Sequence, residues 1–228
     1  MIVTVSRQLG GDGETIARSV AATLGLAVVD RETNRAAALQ AGIPAELLQR
    51  LMYVGQRKVA DDILQPLGNV TPDVAVTAAG NPLLGVYAPP VSVDAISLQD
   101  GARAVGRIIH AIAARDNVLI LGQGGQALLQ GQQGACHVLF VAPLDLRVAN
   151  VAQWHNLSLR EARRRVRGTD ESRADFLARY YGVRWLDPLL YHLVINTGLV
   201  TAEDAEALVI RAVQGAALGA EPAGAKTA

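Results

Sequence analysis

The first sixteen residues constrain the fold more than any other stretch. An apolar run at 2–5 leads through Arg7 into Gly10, Gly11 and Gly13, and a helical pattern begins at once at Glu14. A buried strand feeding a glycine-rich turn and then a helix aims the helix's first free amides, and the positive end of its dipole, at one point. Such a corner suits an anion, above all a phosphate. Lysine ordinarily completes a loop of this kind, in the pattern G-x-x-x-x-G-K-[ST], where it holds the outer phosphates. Here the only lysines are Lys58 and Lys226, both remote from the loop. A nucleotide held at this corner needs arginine in the lysine's role.

Three more short apolar runs, at 118–121, 138–141 and 193–195, and a weaker one at 26–29, read as strands covered on both faces. Helical patterns lie between them, so the alternation predicts βα units around a parallel sheet. The first helix is expected over 14–24, with Ile16, Val20 and Leu24 on one stripe and Gly25 as its C-cap. Another follows Pro143 over 144–154, and a third starts at Ser158, where Glu161 completes a capping box. A helix break is expected at Gly168-Thr169-Asp170. Residues 36–100, rich in proline, read as a helical or loop-rich insert between the second and third strands, with helical pieces near 45–64 and 99–114. Residues 215–228 hold glycine, alanine and proline without an apolar period and read as a disordered tail. The expected organisation is one domain over 1–214, with a lid over 158–184.

Charge narrows the partners. The formal net charge is +0, which gives no electrostatic case for nucleic acid or a membrane surface. No apolar run reaches the roughly 20 residues of a membrane helix. The opening strand lacks the pattern of an export signal. A single cysteine, Cys136, excludes an internal disulfide, and His110, His137, His155 and His192 lack metal-ligand spacing. These features lead to the expectation of a cytoplasmic protein. Yet Arg160, Arg163, Arg164, Arg165, Arg167, Arg173, Arg179 and Arg184 fall in one short segment, which suggests a small anionic partner.

In the loop, Asp12 and Glu14 either cap the helix or reach a magnesium ion, directly or through water, and Thr15 stands near the place of a magnesium-binding hydroxyl. Arg7 ends its strand on the side where ligands of open α/β sheets gather. Its fork suits a phosphate, and it also suits a pair with Asp30 at the neighbouring strand end.

The segments Ser6-Arg-Gln-Leu-Gly-Gly-Asp-Gly-Glu-Thr-Ile16, Val29-Asp-Arg-Glu32, Leu121-Gly-Gln-Gly-Gly125, Val138-Leu-Phe-Val-Ala-Pro143, Asp170-Glu-Ser-Arg-Ala-Asp-Phe176, Tyr180-Tyr-Gly182, Asp187-Pro188 and Leu193-Val-Ile-Asn-Thr197 occur in this order along nearly the whole chain. Together they resemble the cytidylate kinase-like family of P-loop proteins. The resemblance implies an α/β three-layer P-loop kinase fold with a five-stranded parallel sheet, a helical insert that binds the monophosphate, and an arginine-bearing lid. It further implies transfer of the γ-phosphoryl group of ATP to CMP or dCMP with Mg²⁺, so that nucleotides are the partners.

Residue by residue, the resemblance puts Gly10, Gly11, Asp12, Gly13, Glu14 and Thr15 around the donor phosphates, with Gly13 where the lysine would stand. It puts Asp30 and Arg31 on the acceptor side, and Arg164, Arg167, Asp170 and Arg173 in the lid. Arg7, Arg164, Arg167 and Arg173 are the candidate catalytic cations. A solvated basic face is the alternative for the lid arginines. Two departures stand out. Gln123 occupies an acceptor-side position where the family commonly carries arginine, and the helix over 148–156 is less charged than its counterparts. Gln123 and the lysine-free loop support a second reading, a nucleotide-binding protein that keeps the fold and lid and has lost kinase efficiency. A kinase of another small molecule is a third. Oligomeric state is left open.

Overall fold

The computed structural model describes residues 1–40 and 98–217. The expected helix near 45–64, most of the insert, and residues 218–228 lie outside them. Five parallel strands, β1 (Ile2–Arg7), β2 (Ala27–Val29), β3 (Val118–Leu121), β4 (Ala135–Val141) and β5 (Leu193–Asn196), form one sheet in the order β2-β3-β1-β4-β5. β1 is central because its apolar run is buried on both faces. Ile2 stands level with Val118 on one side and Ala135 on the other. All five runs read as strands from the sequence are strands. β4 starts three residues early, so Cys136 lies buried inside it, not ahead of it.

Seven α-helices and a short 3-10 helix (Pro188–Leu190) complete the described residues, the α-helices being α1 (Gly13–Leu24), α2 (Arg31–Gln40), α3 (Leu98–Ala113), α4 (Gly125–Leu128), α5 (Leu144–His155), α6 (Leu159–Tyr181) and α7 (Ala202–Ala217). Alternation along the strands sorts side chains to two faces. Val3, Val5, Leu119 and Phe140 pack with Ile16 and Val20 of α1 and Val209 and Val213 of α7. Ile2, Val118 and Ile120 pack with Ile109 of α3 and with Leu129. The result is the helix–sheet–helix sandwich that continuously apolar parallel strands require. A smaller cluster of Val148, Val151, Ala162 and Val166 joins α5 to α6.

α6 differs from the expectation. Its capping box is present, with Ser158 Oγ accepting from Glu161 N and Glu161 Oε2 accepting from Ser158 N. The helix then runs through Gly168-Thr169-Asp170 without a break, for 23 residues. An interior glycine costs about 1 kcal/mol in helix propensity. Tertiary contacts offset that cost, since Val166 and Leu177 are buried on either side and Asp170 is tied to the β1–α1 loop. At the other end of the chain α7 extends to Ala217, three residues into the stretch read as tail.

Candidate functional site

The loop 8–12 is fastened by its carbonyls. Asn150 Nδ2 donates to Gly10 O at 2.9 Å, Thr197 Oγ1 donates to Gly11 O at 2.9 Å, and Arg147 Nη1 donates to Leu9 O at 3.3 Å. Gln8 joins both ways to β4 and its end, donating N–H to Phe140 O and accepting from Ala142 N. With the carbonyls bound, the first amides of α1 keep no intrahelical partner. Asp12 sits in left-handed backbone at φ 54° and makes no side-chain capping bond, so it does not occupy those donors. Gly10 is required: its φ is +86°, and a Cβ there would collide with the carbonyl oxygen of Arg147.

Gly13 is tighter still. A Cβ on it would lie 2.7 Å from Phe140 Cβ and 2.9 Å from Arg7 Cβ, so the place of the usual lysine has no room for a side chain. A lysine at position 13 would not fit, because α1 starts pressed against the sheet.

Beside the loop, at the carboxyl ends of β1, β2 and β3, lies a cavity of about 420 Å³. Arg7 and Ser6 of β1, Glu14 of α1 and Arg31 at the start of α2 line it, and α6 contributes Arg173 and Phe176. Arg173 is held on three sides. Its Nη1 donates to Arg7 O at 2.6 Å, its guanidinium carbon lies 5.9 Å from the Trp185 ring centre, and Asp170 stands at 3.9 Å. Trp185 is fixed in turn by donating Nε1–H to Ser6 Oγ at 2.8 Å. Burial pushes the Arg173 pKa down to about 10; the charges of Arg7 and Arg31 push the same way, and Asp170 and Glu14 oppose them. A cation disfavoured by its neighbours in this way is stabilised by an incoming anion.

Arg7 does not pair with Asp30. Its Nη2 donates to Glu14 Oε2 at 2.8 Å, and Arg18 bridges Glu14 at 3.0 Å to Asp30 at 3.1 Å. Burial opposes ionisation of Glu14, but the bonds from Arg7 and Arg18 outweigh it and hold the carboxyl below its ordinary range. Asp30 caps α2: the N–H and hydroxyl of Thr33 both donate to its Oδ1. That backbone bond first, and Arg18 after it, bring its pKa down to about 2.

The cavity thus brings together Arg7, Glu14, Asp30, Arg31, Gln123 and Arg173. Gly10, Gly11, Asp12 and Gly13 form the adjacent loop, and Thr15 is exposed in the first turn of α1. Arg164 and Arg167 are exposed on α6 and do not line the cavity. Asp170 does not line it either. It accepts from Leu9 N at 3.2 Å and from Arg147 Nη1 at 2.5 Å, fastening α6 to the loop. Among the described residues, no cluster of three or more acidic, histidine or cysteine side chains is poised for a metal ion.

Sequence reasoning missed three residues. Arg147, 5% exposed, also donates Nε–H to Ala142 O and so joins β4, the loop and α6. Asn34 and Gln126 are buried in the cavity wall. Asn34 lies three residues after Arg31, one helical turn along the same face, and that spacing is the signal that could have found it.

The pattern that defines the cytidylate kinase-like family matches residues 2–199. The chain belongs to the cytidylate kinase-like family. Its match takes in all five strands, the loop and the cavity. A cytidylate kinase from Sulfolobus acidocaldarius is 30% identical over 99 residues, 43% of this chain and 54% of that protein. The chain spans about half the length of this curated relative. Among solved structures, an uncharacterized protein from Eubacterium ventriosum superposes with a TM-score of 0.65 at 15% identity, over 94% of this chain and 98% of that one. It shares the fold. A shikimate kinase from Bacteroides thetaiotaomicron aligns over 94% and 96% of the two chains, with a TM-score of 0.44 at 11% identity. No helix among the described residues is long and apolar enough to cross a membrane.

Proposed function

We propose that this chain transfers the γ-phosphoryl group of ATP to a nucleoside monophosphate, with CMP or dCMP as acceptor. The observation that carries the proposal is the convergence of Arg7, Arg31 and Arg173 on one cavity beside the open amino end of α1. Phosphoryl transfer asks little covalent chemistry of the protein. Positioning and neutralisation of oxygen charge do most of it. The α1 amides meet the donor phosphates, and the arginines hold the acceptor phosphate and the charge that spreads over the transferring group.

Arg173 suits the second task because its direction is fixed before substrate arrives, by the Arg7 carbonyl and the Trp185 ring. Glu14 and Thr15, in the first turn of α1, are the groups that would meet a Mg²⁺ ion carried on ATP, directly or through water. The ion would neutralise charge between the donor phosphates. The carboxylates of Glu14 and Asp30 keep this side of the cavity from becoming uniformly positive.

The crowding around Gly13 favours a second reading, in which nucleotide binds at the loop and transfer is slow for want of a lysine. Turnover separates the two. Purified protein with ATP, Mg²⁺ and a panel of nucleoside monophosphates is expected to form ADP fastest with CMP or dCMP. Thermal stabilisation by nucleotide without ADP formation would replace the kinase reading with the binding one.

A further inference from the structure

Beside the arginines, the wall of the cavity also carries neutral amides. Asn34, on α2, and Gln126, on α4, are each 2% exposed, and Gln123 lies between β3 and α4 in left-handed backbone at φ 59°. Asn34 Nδ2 donates to Gln123 Oε1. The remaining Asn34 Oδ1, Gln123 Nε2 and Gln126 Nε2 are buried and make no well-aligned hydrogen bond among the described residues, the Gln126 amide having the Tyr191 hydroxyl as its polar neighbour. All three residues line the cavity. Buried polar groups of folded proteins are nearly always partnered, and leaving one unpaired costs about 1–3 kcal/mol. Three in one wall call for a ligand that supplies the partners.

We propose that Asn34, Gln123 and Gln126 are specificity-determining residues that read the hydrogen-bonding edge of a pyrimidine base on the acceptor. The inference rests on the kinase reading above and deepens it. The wall offers one acceptor and two donors, all uncharged. Exchanging donor and acceptor roles within the Asn34–Gln123 pair leaves that inventory unchanged, because one oxygen and one nitrogen stay free either way.

Cytosine presents one donor, its amino group, and two acceptors, the ring N3 and the O2 carbonyl. Uracil presents one donor, N3–H, and two acceptors. Both complement the wall. Guanine presents two donors and one acceptor, which leaves a wall donor facing a donor, and adenine leaves one wall donor empty. A site whose buried polar groups go unpaired with the wrong ligand rejects that ligand strongly. On this account Gln123 is a neutral reader of the base, while Arg7, Arg31 and Arg173 hold the phosphate.

The test is equilibrium binding of the full chain to CMP, UMP, GMP, AMP and ribose 5-phosphate by calorimetry, beside turnover with ATP and Mg²⁺. CMP and UMP are expected to bind at least about tenfold more tightly than GMP or ribose 5-phosphate. Asn34→Leu and Gln126→Met, each close in shape to the original, are expected to cut the ratio of CMP to ribose 5-phosphate affinity by about five- to tenfold, with ribose 5-phosphate binding unchanged. Thermal denaturation checks that the variants fold. Gln123→Met, at a less buried position, gives the same readout if either does not. Equal binding of all bases, or unchanged ratios in folded variants, with ribose 5-phosphate still bound, would overturn the base wall and leave the kinase reading standing. Failure of every monophosphate and of ribose 5-phosphate to bind would overturn the kinase reading itself.

Discussion

Arg173 shows what a single side chain contributes. It donates to the Arg7 carbonyl and lies near the Trp185 ring, while burial and two neighbouring arginines work against its charge. Arg173→Ala is therefore expected to lower kcat/KM by about 100-fold or more, with only a small change in melting temperature, because removing the charge relieves repulsion as it removes a bond. Unchanged kcat/KM would remove Arg173 from the chemistry. Gly13→Lys is expected to destabilise without restoring activity, since its Cβ meets Phe140 and Arg7; a chemical-denaturation midpoint at or above wild type would contradict this.

His137 supplies a pH dependence away from the cavity. Its Nδ1 shares a 2.8 Å hydrogen bond with Thr4 Oγ1, and burial first, then nearby His192, lower its pKa from 6.5 to about 4. Between those values the unfolded chain takes up a proton that the folded one refuses. Stability attributable to His137 is thus intact above pH 6.5 and falls as pH drops toward 4, by on the order of 3 kcal/mol. His137→Asn is expected to flatten the melting temperature over that range, and parallel curves for the two proteins would exclude the effect.

At the scale of elements, α6 matters most because one uninterrupted helix carries both Asp170, bound to the loop, and Arg173, facing the cavity. Arg147 is the partner that holds this arrangement. Arg147→Leu would leave the Asp170 carboxylate, 16% exposed, with only the more distant guanidinium of Arg173 at 3.9 Å. Breaking such a pair from one side costs about 3–5 kcal/mol. The variant is expected to melt well below wild type, while Arg163→Leu, which removes only an exposed pair with Asp145, is expected to melt within about 1 kcal/mol of it. Similar losses in both would show that Arg147 does not tie the loop to α6.

The helix break read at 168–170 failed for a physical reason. Glycine and threonine lower helix propensity locally, but Asp170 is bonded to residues 23 and 161 positions away, and no local pattern reports that. The capping box at Ser158 was legible because both its members lie within one turn. Arg147 was not, since a lone arginine on an amphipathic helix reads as solvent-facing until the carbonyls of Leu9 and Ala142 are brought to it.

At the scale of the molecule, the five apolar runs fixed the class of fold, and the glycine turn marked the end of the sheet at which a ligand gathers. The strand order lay beyond the sequence, because it depends on which runs meet after the crossovers. So did the sorting of the arginines. Arg7, Arg31 and Arg173 are brought to one cavity by three separate elements, whereas Arg164 and Arg167, neighbours of Arg173 in sequence, remain on the outer face of α6. Local density of charge pointed to an anionic partner but could not tell which arginines face the cavity. Gln123 was singled out as a lost cation; only the placement of Asn34 and Gln126 beside it gives that neutral side chain companions of the same chemistry.

The central position of β1 also bears on how the chain is made. Its partners are β3 and β4, so Ile2 must wait for Val118 and then for Ala135. A ribosome adding about 5–20 residues per second leaves β1 unpaired for roughly 6 to 25 seconds. Throughout that interval the central strand of the sheet is outside the tunnel with both edges open. Sheltering it from other nascent chains falls to chaperones, or to early docking of α1 against it.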